Sequence, residues 1–275
     1  MSRTEAKRLL RFRAVSVNGR SSVRHDTPVA PGDVLTFSVP SGRLAAAPEA
    51  PAWSPAIVHE DDAIVVVDKP AGLLTIASET EKTRTAYRAL NDQLKAGART
   101  ARQQIFVVHR LDRDTSGLLV FARTEAAKRA LQDGWHGVRR IYQGIVEGIP
   151  DEPSGILRTR LAETKSLLVH EGGRDGRVAV TRYRLLRSGA ERAHLEIEIE
   201  TGRKNQIRVQ LAAIGHPIVG DRKYGTAGTT AGRLALHACE LGFVHPVSGE
   251  PVSFRSPLPP TLSRLLETRS STRSR

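Results

Sequence analysis

The chain of 275 residues has a single cysteine, Cys239. Without a second thiol it can form no internal disulfide and no cysteine-based zinc site. Its histidines include no His-Glu-x-x-His spacing, and no glycine-rich stretch ends in Gly-Lys-Ser or Gly-Lys-Thr. Neither a zincin-type metal site nor a phosphate-binding loop is therefore written in the sequence. No apolar run approaches the roughly 18 residues that would span a bilayer. The N-terminus lacks the apolar core of a signal peptide. These absences lead to the expectation of a cytoplasmic protein with no membrane partner, no metal and no cofactor.

Acidic charge is also in short supply. The chain carries 29 Asp and Glu against 42 Lys and Arg, a formal net charge of +13. That surplus points to a polyanionic partner, most simply nucleic acid. It is concentrated at the ends: residues 1–43 hold eight basic and three acidic residues, and residues 256–275 hold four and one. What is plentiful is core-forming material. Hydrophobic residues make up 39%, enough for one large domain and a small one.

Residues 1–43 read as a small basic module. Thr4 is placed to cap a helix from Glu5 to Phe12 that carries Lys7, Arg8 and Arg11. Val15-Ser16-Val17 alternates as a strand, and Asn18-Gly19 is a hairpin-turn signal. Residues 44–55, rich in Ala and Pro, suit a semi-extended linker. A large domain is expected over 56–258, followed by a basic, disordered tail over 259–275. Inside the large domain, Ala63–Asp68 reads as a buried strand before the turn Lys69-Pro70-Ala71-Gly72. Helices are predicted over Thr85–Leu94 and from Thr124 through Trp135, with loops and short strands over 151–178. Leu195, Ile197 and Ile199 alternate with glutamates as a one-sided strand. Ile207, Leu211 and Ile214 recur at helical spacing, with Gly215 as the stop. Gly220–Gly225, with Arg222, reads as an exposed basic turn. His237 reads as a structural strand histidine.

The chain is organised around His109–Val120. Apolar runs enter and leave it (Ile105–Val108 and Leu118–Ala122), and both read as strands. The loop between them holds His109, Arg110, Asp112, Arg113 and Asp114. Strand ends rarely tolerate so many charges without a use for them.

The run His-Arg-Leu-Asp-x-x-Thr-Ser-Gly-Leu-Leu from His109 to Leu119 resembles the signature of the RluA-type pseudouridine synthases, which isomerise uridine in ribosomal or transfer RNA. Three further stretches resemble motifs of that family: Lys69–Gly72, the strand x-Tyr-x-x-x-Val-x-Gly around Tyr142, and Thr-Gly-Arg-x-x-Gln-Ile-Arg-Val over Thr201–Val209. The resemblance implies an α+β fold, with a mixed, mainly antiparallel sheet and flanking helices. It makes Asp112, not Asp114, the catalytic carboxylate, puts Tyr142 in the active site, and pairs Arg208 with Asp112. Asn205 and Gln210 stand where many relatives are expected to carry histidine, a change implied to alter RNA contacts rather than chemistry. Residues 1–43 are similar to an alpha-L RNA-binding domain that begins at its second helix.

Isomerising uridine breaks the base–sugar bond, turns the uracil and rejoins it through carbon. An ionised carboxylate near the sugar serves as nucleophile or as shield for developing positive charge. Asp112 fits that role, and Arg208 is the cation expected to hold it ionised. Whether Asp112 attacks sugar or base is left open by the residues. Tyr142 would stack on the flipped uracil or relay a proton. Arg110 and Arg113 would hold the opened backbone, and Arg203, Lys204 and Arg222 would contact phosphates. The expected partner is structured RNA, ribosomal before transfer RNA, bound by a monomer. The rival reading is a non-catalytic, ribosome-associated RNA-binding factor, which leaves Asp112, Tyr142 and Arg208 without a purpose. A glycosidase would want paired acids, and an aspartic protease a second Asp-Thr-Gly.

Overall fold

In a computed structural model the described residues are 15–18, 27–30, 32–37, 53–97, 104–164, 169–172, 176–225 and 232–267. The chain divides into two compact units, Met1–Ala50 and Pro51–Arg275. In the first, β1 (Val15–Val17) pairs antiparallel with β2 (Leu35–Phe37). Asn18 does not turn the chain into a tight hairpin. It adopts φ of 49°, which asparagine tolerates, and its side chain closes a longer connection. Its amide donates to Asp33 Oδ1 at 2.7 Å, and its carbonyl oxygen accepts from Val34 N at 2.9 Å. The helix expected over 5–12, with Lys7, Arg8 and Arg11, lies outside the described residues, as does most of the 44–55 linker.

The second unit is built on one eleven-stranded sheet. Its strands are β3 (Ala56–Glu60), β4 (Ile64–Lys69), β5 (Phe106–Val107), β6 (Ser116–Ala122), β7 (Arg139–Glu147), β8 (Ser154–Glu163), β9 (Val169–Glu171), β10 (Arg177–Ser188), β11 (Arg192–Ile199), β12 (Leu236–Val244) and β13 (Pro251–Arg255). Across the sheet the order is β3-β4-β6-β12-β7-β11-β10-β8-β9, with β5 on β6 and β13 on β12. Among these pairings only β6 with β12 is parallel, and it is short: His237 faces Ser116, and Ala238 faces Gly117. Gly117 has φ of 113°, and a Cβ there would lie 2.2 Å from the Ala238 carbonyl oxygen, so glycine is required.

The apolar runs explain the centre. β6 is buried along its whole length and β4 at all but Asp68, as strands covered on both faces should be. On one face Val65, Val67, Leu119 and Phe121 pack with Leu90 and Leu94 of α1 (Ala86–Gly97). On the other, Ile64, Val66, Leu118 and Val120 pack with Ala127 and Leu131 of α2 (Glu125–Asp133). Thr124 caps α2, its hydroxyl accepting from Ala127 N at 3.0 Å. The helix then ends short of Trp135, which belongs to a separate 3-10 turn, Trp135–Gly137.

Two segments differ from expectation. β8 is a single ten-residue strand where the polar composition suggested loops with short strands. Ile156, Arg158 and Arg160 face solvent, which hides the pattern, and eight register pairs with β10 hold the strand. Residues expected in a disordered tail form α4 (Pro260–Ser263) and a 3-10 turn, Arg264–Leu266, because Leu262 and Leu266 are buried. Residues 268–275 lie outside the described residues. α3 (Gln206–Ala213) follows β11 and buries Ile207 and Leu211 beside Ile197 and Tyr142.

Candidate active site

The loop between β5 and β6 carries Asp112 and is pinned on both sides of it. Before it, the amide of Leu111 donates to the Thr75 hydroxyl at 3.1 Å, and that hydroxyl donates to the Leu111 carbonyl at 2.9 Å. After it, Lys69 reaches up from the end of β4. Its ammonium donates to the carbonyls of Leu73 at 2.8 Å, Pro70 at 3.0 Å and Arg113 at 3.2 Å. Lys69 is fully buried. Burial drags its pKa down to about 7, against the opposing pull of Asp114, Asp112 and Asp68.

Asp112, held in this way, lines a cavity of about 260 Å³ together with Tyr142 of β7 and Arg208 of α3. Arg208 Nη1 donates to Asp112 Oδ2 at 3.4 Å. The tighter contact is elsewhere: Nε and Nη2 grip Asp221 Oδ2 and Oδ1 at 2.7 and 2.8 Å, a two-point fork. Asn205 Oδ1 accepts from the same guanidinium at 2.9 Å. The Asp112 side chain is 29% exposed, whereas that of Asp221 is wholly enclosed. Asp221 also accepts from the amides of Lys223 and Tyr224. Burial opposes its ionisation, but these contacts outweigh it and hold its carboxyl below the usual range. Arg208 is raised above its ordinary value in spite of burial, by Asp221 first and Asp112 second.

Tyr142 is 8% exposed. Burial pushes its phenol up to about 12, with Asp112 adding to the push and Arg140 opposing it. It is a neutral phenol at physiological pH. His109, Trp135 and Arg140 also line the cavity. The His109 and Trp135 rings lie 4.5 Å apart, and the Arg140 guanidinium sits 5.9 Å from the Trp135 ring. His109 Nε2 accepts from Val120 N at 3.1 Å, and burial takes its pKa down to about 3. The cavity thus offers one carboxylate, a neutral phenol, four guanidinium groups (Arg110, Arg140, Arg203 and Arg208) and a neutral imidazole. That set suits binding a planar, polar ring while an anion faces what is attached to it.

The cations expected around the site fall into two groups. Arg110 and Arg203 line the cavity and are exposed. Arg113 and Arg222 are exposed and line a second cavity of about 310 Å³, which shares Arg110, Asp112, Asn205 and Arg208 with the first. Lys204 pairs with Glu163. Gln210 is fully buried, bonded to Thr181, Thr159, Leu157 and Ala179. The expected change of RNA contacts at that position is corrected: Gln210 fastens α3 to the sheet. Asn205 is buried too, and supports Arg208.

Sequence reasoning missed Asp221, Lys69, Arg140, Trp135 and His109 as members of the site. Asp221 sits in the stretch read as an exposed basic turn. Its one available signal was being the lone acid beside Arg222 and Lys223, which is weak. Lys69 opens a recognisable turn, and its depth inside the fold has no signature in a single sequence.

Comparison with known proteins adds the following. Residues 63–213 match the family model described as RNA pseudouridylate synthase. The chain is 36% identical over 232 residues to ribosomal large subunit pseudouridine synthase D of Zymomonas mobilis, covering 77% of this chain and 71% of that one. It is 38% identical over 270 residues to a protein of Chloroflexus aurantiacus named as an uncharacterized RNA pseudouridine synthase, covering 97% and 85%. Among solved structures, human RNA pseudouridylate synthase domain containing 4 superposes with a TM-score of 0.63 at 23% identity, over 76% of this chain and 90% of that one, a likeness of fold.

Proposed function

The chain belongs to the RNA pseudouridylate synthase family and is an isomerase, and from that premise we propose that it converts specific uridines of large-subunit ribosomal RNA, with Asp112 as the catalytic carboxylate. The observation that carries this reading is the convergence of Asp112, Tyr142 and Arg208 on one cavity. The relatives named as ribosomal large subunit enzymes support ribosomal over transfer RNA.

The target uridine leaves its stack at a cost of a few kcal/mol, less in a loop. Its base enters the cavity against the Tyr142 ring, with the phenol intact. The carboxylate of Asp112 faces the reacting nucleoside, as nucleophile or as electrostatic shield. The bond from N1 of uracil to C1′ breaks, the ring turns, C5 bonds to C1′, and the proton of C5 is lost while N1 gains one. Arg208 orients Asp112 and balances its charge. Arg110, Arg113 and Arg222, around the second cavity, take the phosphates on either side of the opened nucleotide. Arg203 and Lys204 continue that track, and Lys7, Arg8 and Arg11 contact RNA in the manner of an alpha-L module.

Transcribed large-subunit RNA labelled with tritium at uracil C5 tests the assignment, since forming the new bond releases that label. The wild-type chain is expected to release it. Asp112→Ala is expected to release none, while binding the same RNA within a few fold. Turnover by that variant would sink the role of Asp112. No release by the wild type from ribosomal RNA, with release from transfer RNA, would move the substrate.

A further inference from the structure

Behind the loop that carries Asp112 lies a second polar cluster that the reaction does not use. Ser116 opens β6, four residues after Asp112. Its hydroxyl lies 2.6 Å from Arg233 Nη2 and 2.9 Å from His237 Nδ1. On the far side of the imidazole, His237 Nε2 lies 3.1 Å from the Ser256 hydroxyl. That hydroxyl in turn bonds Asp68 Oδ2. His237 is 1% exposed, so with both ring nitrogens occupied it reaches no substrate.

The direction of each bond follows from its two ends. Arg233 can only donate, so Ser116 oxygen accepts and the Ser116 proton is free to go to His237 Nδ1. The Asp68 carboxylate only accepts when ionised, so Ser256 donates to it and its oxygen accepts from His237 Nε2–H. With the imidazole neutral, one arrangement satisfies all four contacts: Arg233 to Ser116, Ser116 to Nδ1, Nε2–H to Ser256, Ser256 to Asp68. The ring proton then sits on Nε2. Burial lowers the pKa of His237, which favours that neutral form, though Asp68 pulls the other way. Ser116 and His237 are also opposite one another in the short parallel pairing of β6 with β12.

We propose that the Arg233–Ser116–His237–Ser256–Asp68 chain is a positioning device for the loop bearing Asp112, and that His237 is its central positioning residue through opposed acceptor and donor ends rather than through proton transfer. The chain ties β4, β12, and the segments before β12 and after β13 to the first residue of β6. Directional bonds in sequence polarise and strengthen one another inside a protein. They fix where the loop leaves the sheet, and with it the placement of Asp112 before the nucleoside. This inference rests on the reading of Asp112 as the catalytic carboxylate.

Glutamine can replace a neutral imidazole as a group with one acceptor end and one donor end, but it cannot act as a base at neutral pH. In the tritium-release assay, His237→Gln is expected to keep kcat within about threefold of wild type. His237→Leu is expected to lose at least tenfold in kcat with KM within twofold, at an unchanged far-ultraviolet spectrum. Should His237→Leu fail to fold, Ser256→Ala cuts the chain at the Asp68 end and is expected to lower kcat severalfold at constant KM. Equal loss in the glutamine and leucine variants overturns the proposal. So does wild-type kcat in Ser256→Ala. Failure of the Asp112 assignment is read separately, from turnover by Asp112→Ala.

Discussion

On the cavity side of the loop, Arg208 meets two carboxylates, and meets them unequally. Asp221 is gripped at 2.7 and 2.8 Å, Asp112 touched at 3.4 Å. On the sheet side, hydrogen bonds link Arg233 to Asp68 through Ser116, His237 and Ser256. The first cluster sets charge directly against charge and is partly open to solvent; the second puts neutral groups between its charged ends. The difference fits the roles proposed for each. A carboxylate that reacts needs an oxygen not fully engaged, so its cation is held by another partner and approaches it loosely. A loop that must not move needs contacts without slack. Arg208 also has a full counter-ion in Asp221, independent of its contact with Asp112.

Four expected outcomes would break or sharpen this contrast. The largest is Arg208→Leu, which strands the enclosed carboxylate of Asp221. Losing one partner of a buried pair costs about 3–5 kcal/mol, so a drop in urea midpoint should accompany loss of tritium release; wild-type behaviour in both would refute the clamp. Next comes Asp221→Asn, which keeps the shape and removes the charge. Arg208 is then free to lean on Asp112, and kcat is expected to fall about 10²-fold with RNA affinity retained. A variant as active as wild type would show that the loose contact needs no second carboxylate. Third, Lys69→Met leaves the carbonyls of Pro70, Leu73 and Arg113 without their donor, at a net cost of about 2 kcal/mol, seen by thermal melting. No loss of stability would remove Lys69 from the account of the loop.

The smallest effect is in pH. The folded-state pKa of His109, about 3, lies below the ordinary 6.5, so the unfolded chain takes the proton first. The stability from keeping this imidazole neutral is whole above pH 6.5 and is lost as pH falls toward 3. Between pH 7 and 5.5 the loss is about 1 kcal/mol, with His237 acting in the same direction. Urea unfolding at those two values should give a flatter dependence in His109→Gln; an identical slope would mean other groups carry it.

Much of the fold was legible because its centre is written in apolar runs. Ile64–Val67 and Leu118–Ala122 can hardly be anything but buried strands, and the alternation of Leu195, Ile197 and Ile199 sets the face of β11. The length of β8 was not legible, since a strand with one wet face reads as polar loop and short strand until the long pairing with β10 is present. The same reasoning separates the site residues. Asp112, Tyr142 and Arg208 stood in recognisable motifs, and the structure brings them to one cavity. Asp221 and Lys69 became visible only with depth, which depends on what packs over them. Asn18-Gly19 carried a hairpin signal, but the asparagine side chain was drawn to Asp33 and Val34 instead.

The pairing of β6 with β12 rests on two residue pairs, and Gly117 fits there only because it has no side chain. Asp112 is attached to one side of this splice, Tyr142 and Arg208 to the other. A strand advances about 3.3 Å per residue, so a slip of a single step would carry Asp112 by nearly the whole distance that now separates it from Arg208. Backbone crowding at Gly117 therefore works as a detent: the alignment of the two halves of the pocket is set in whole-residue steps, and the wrong steps are sterically closed.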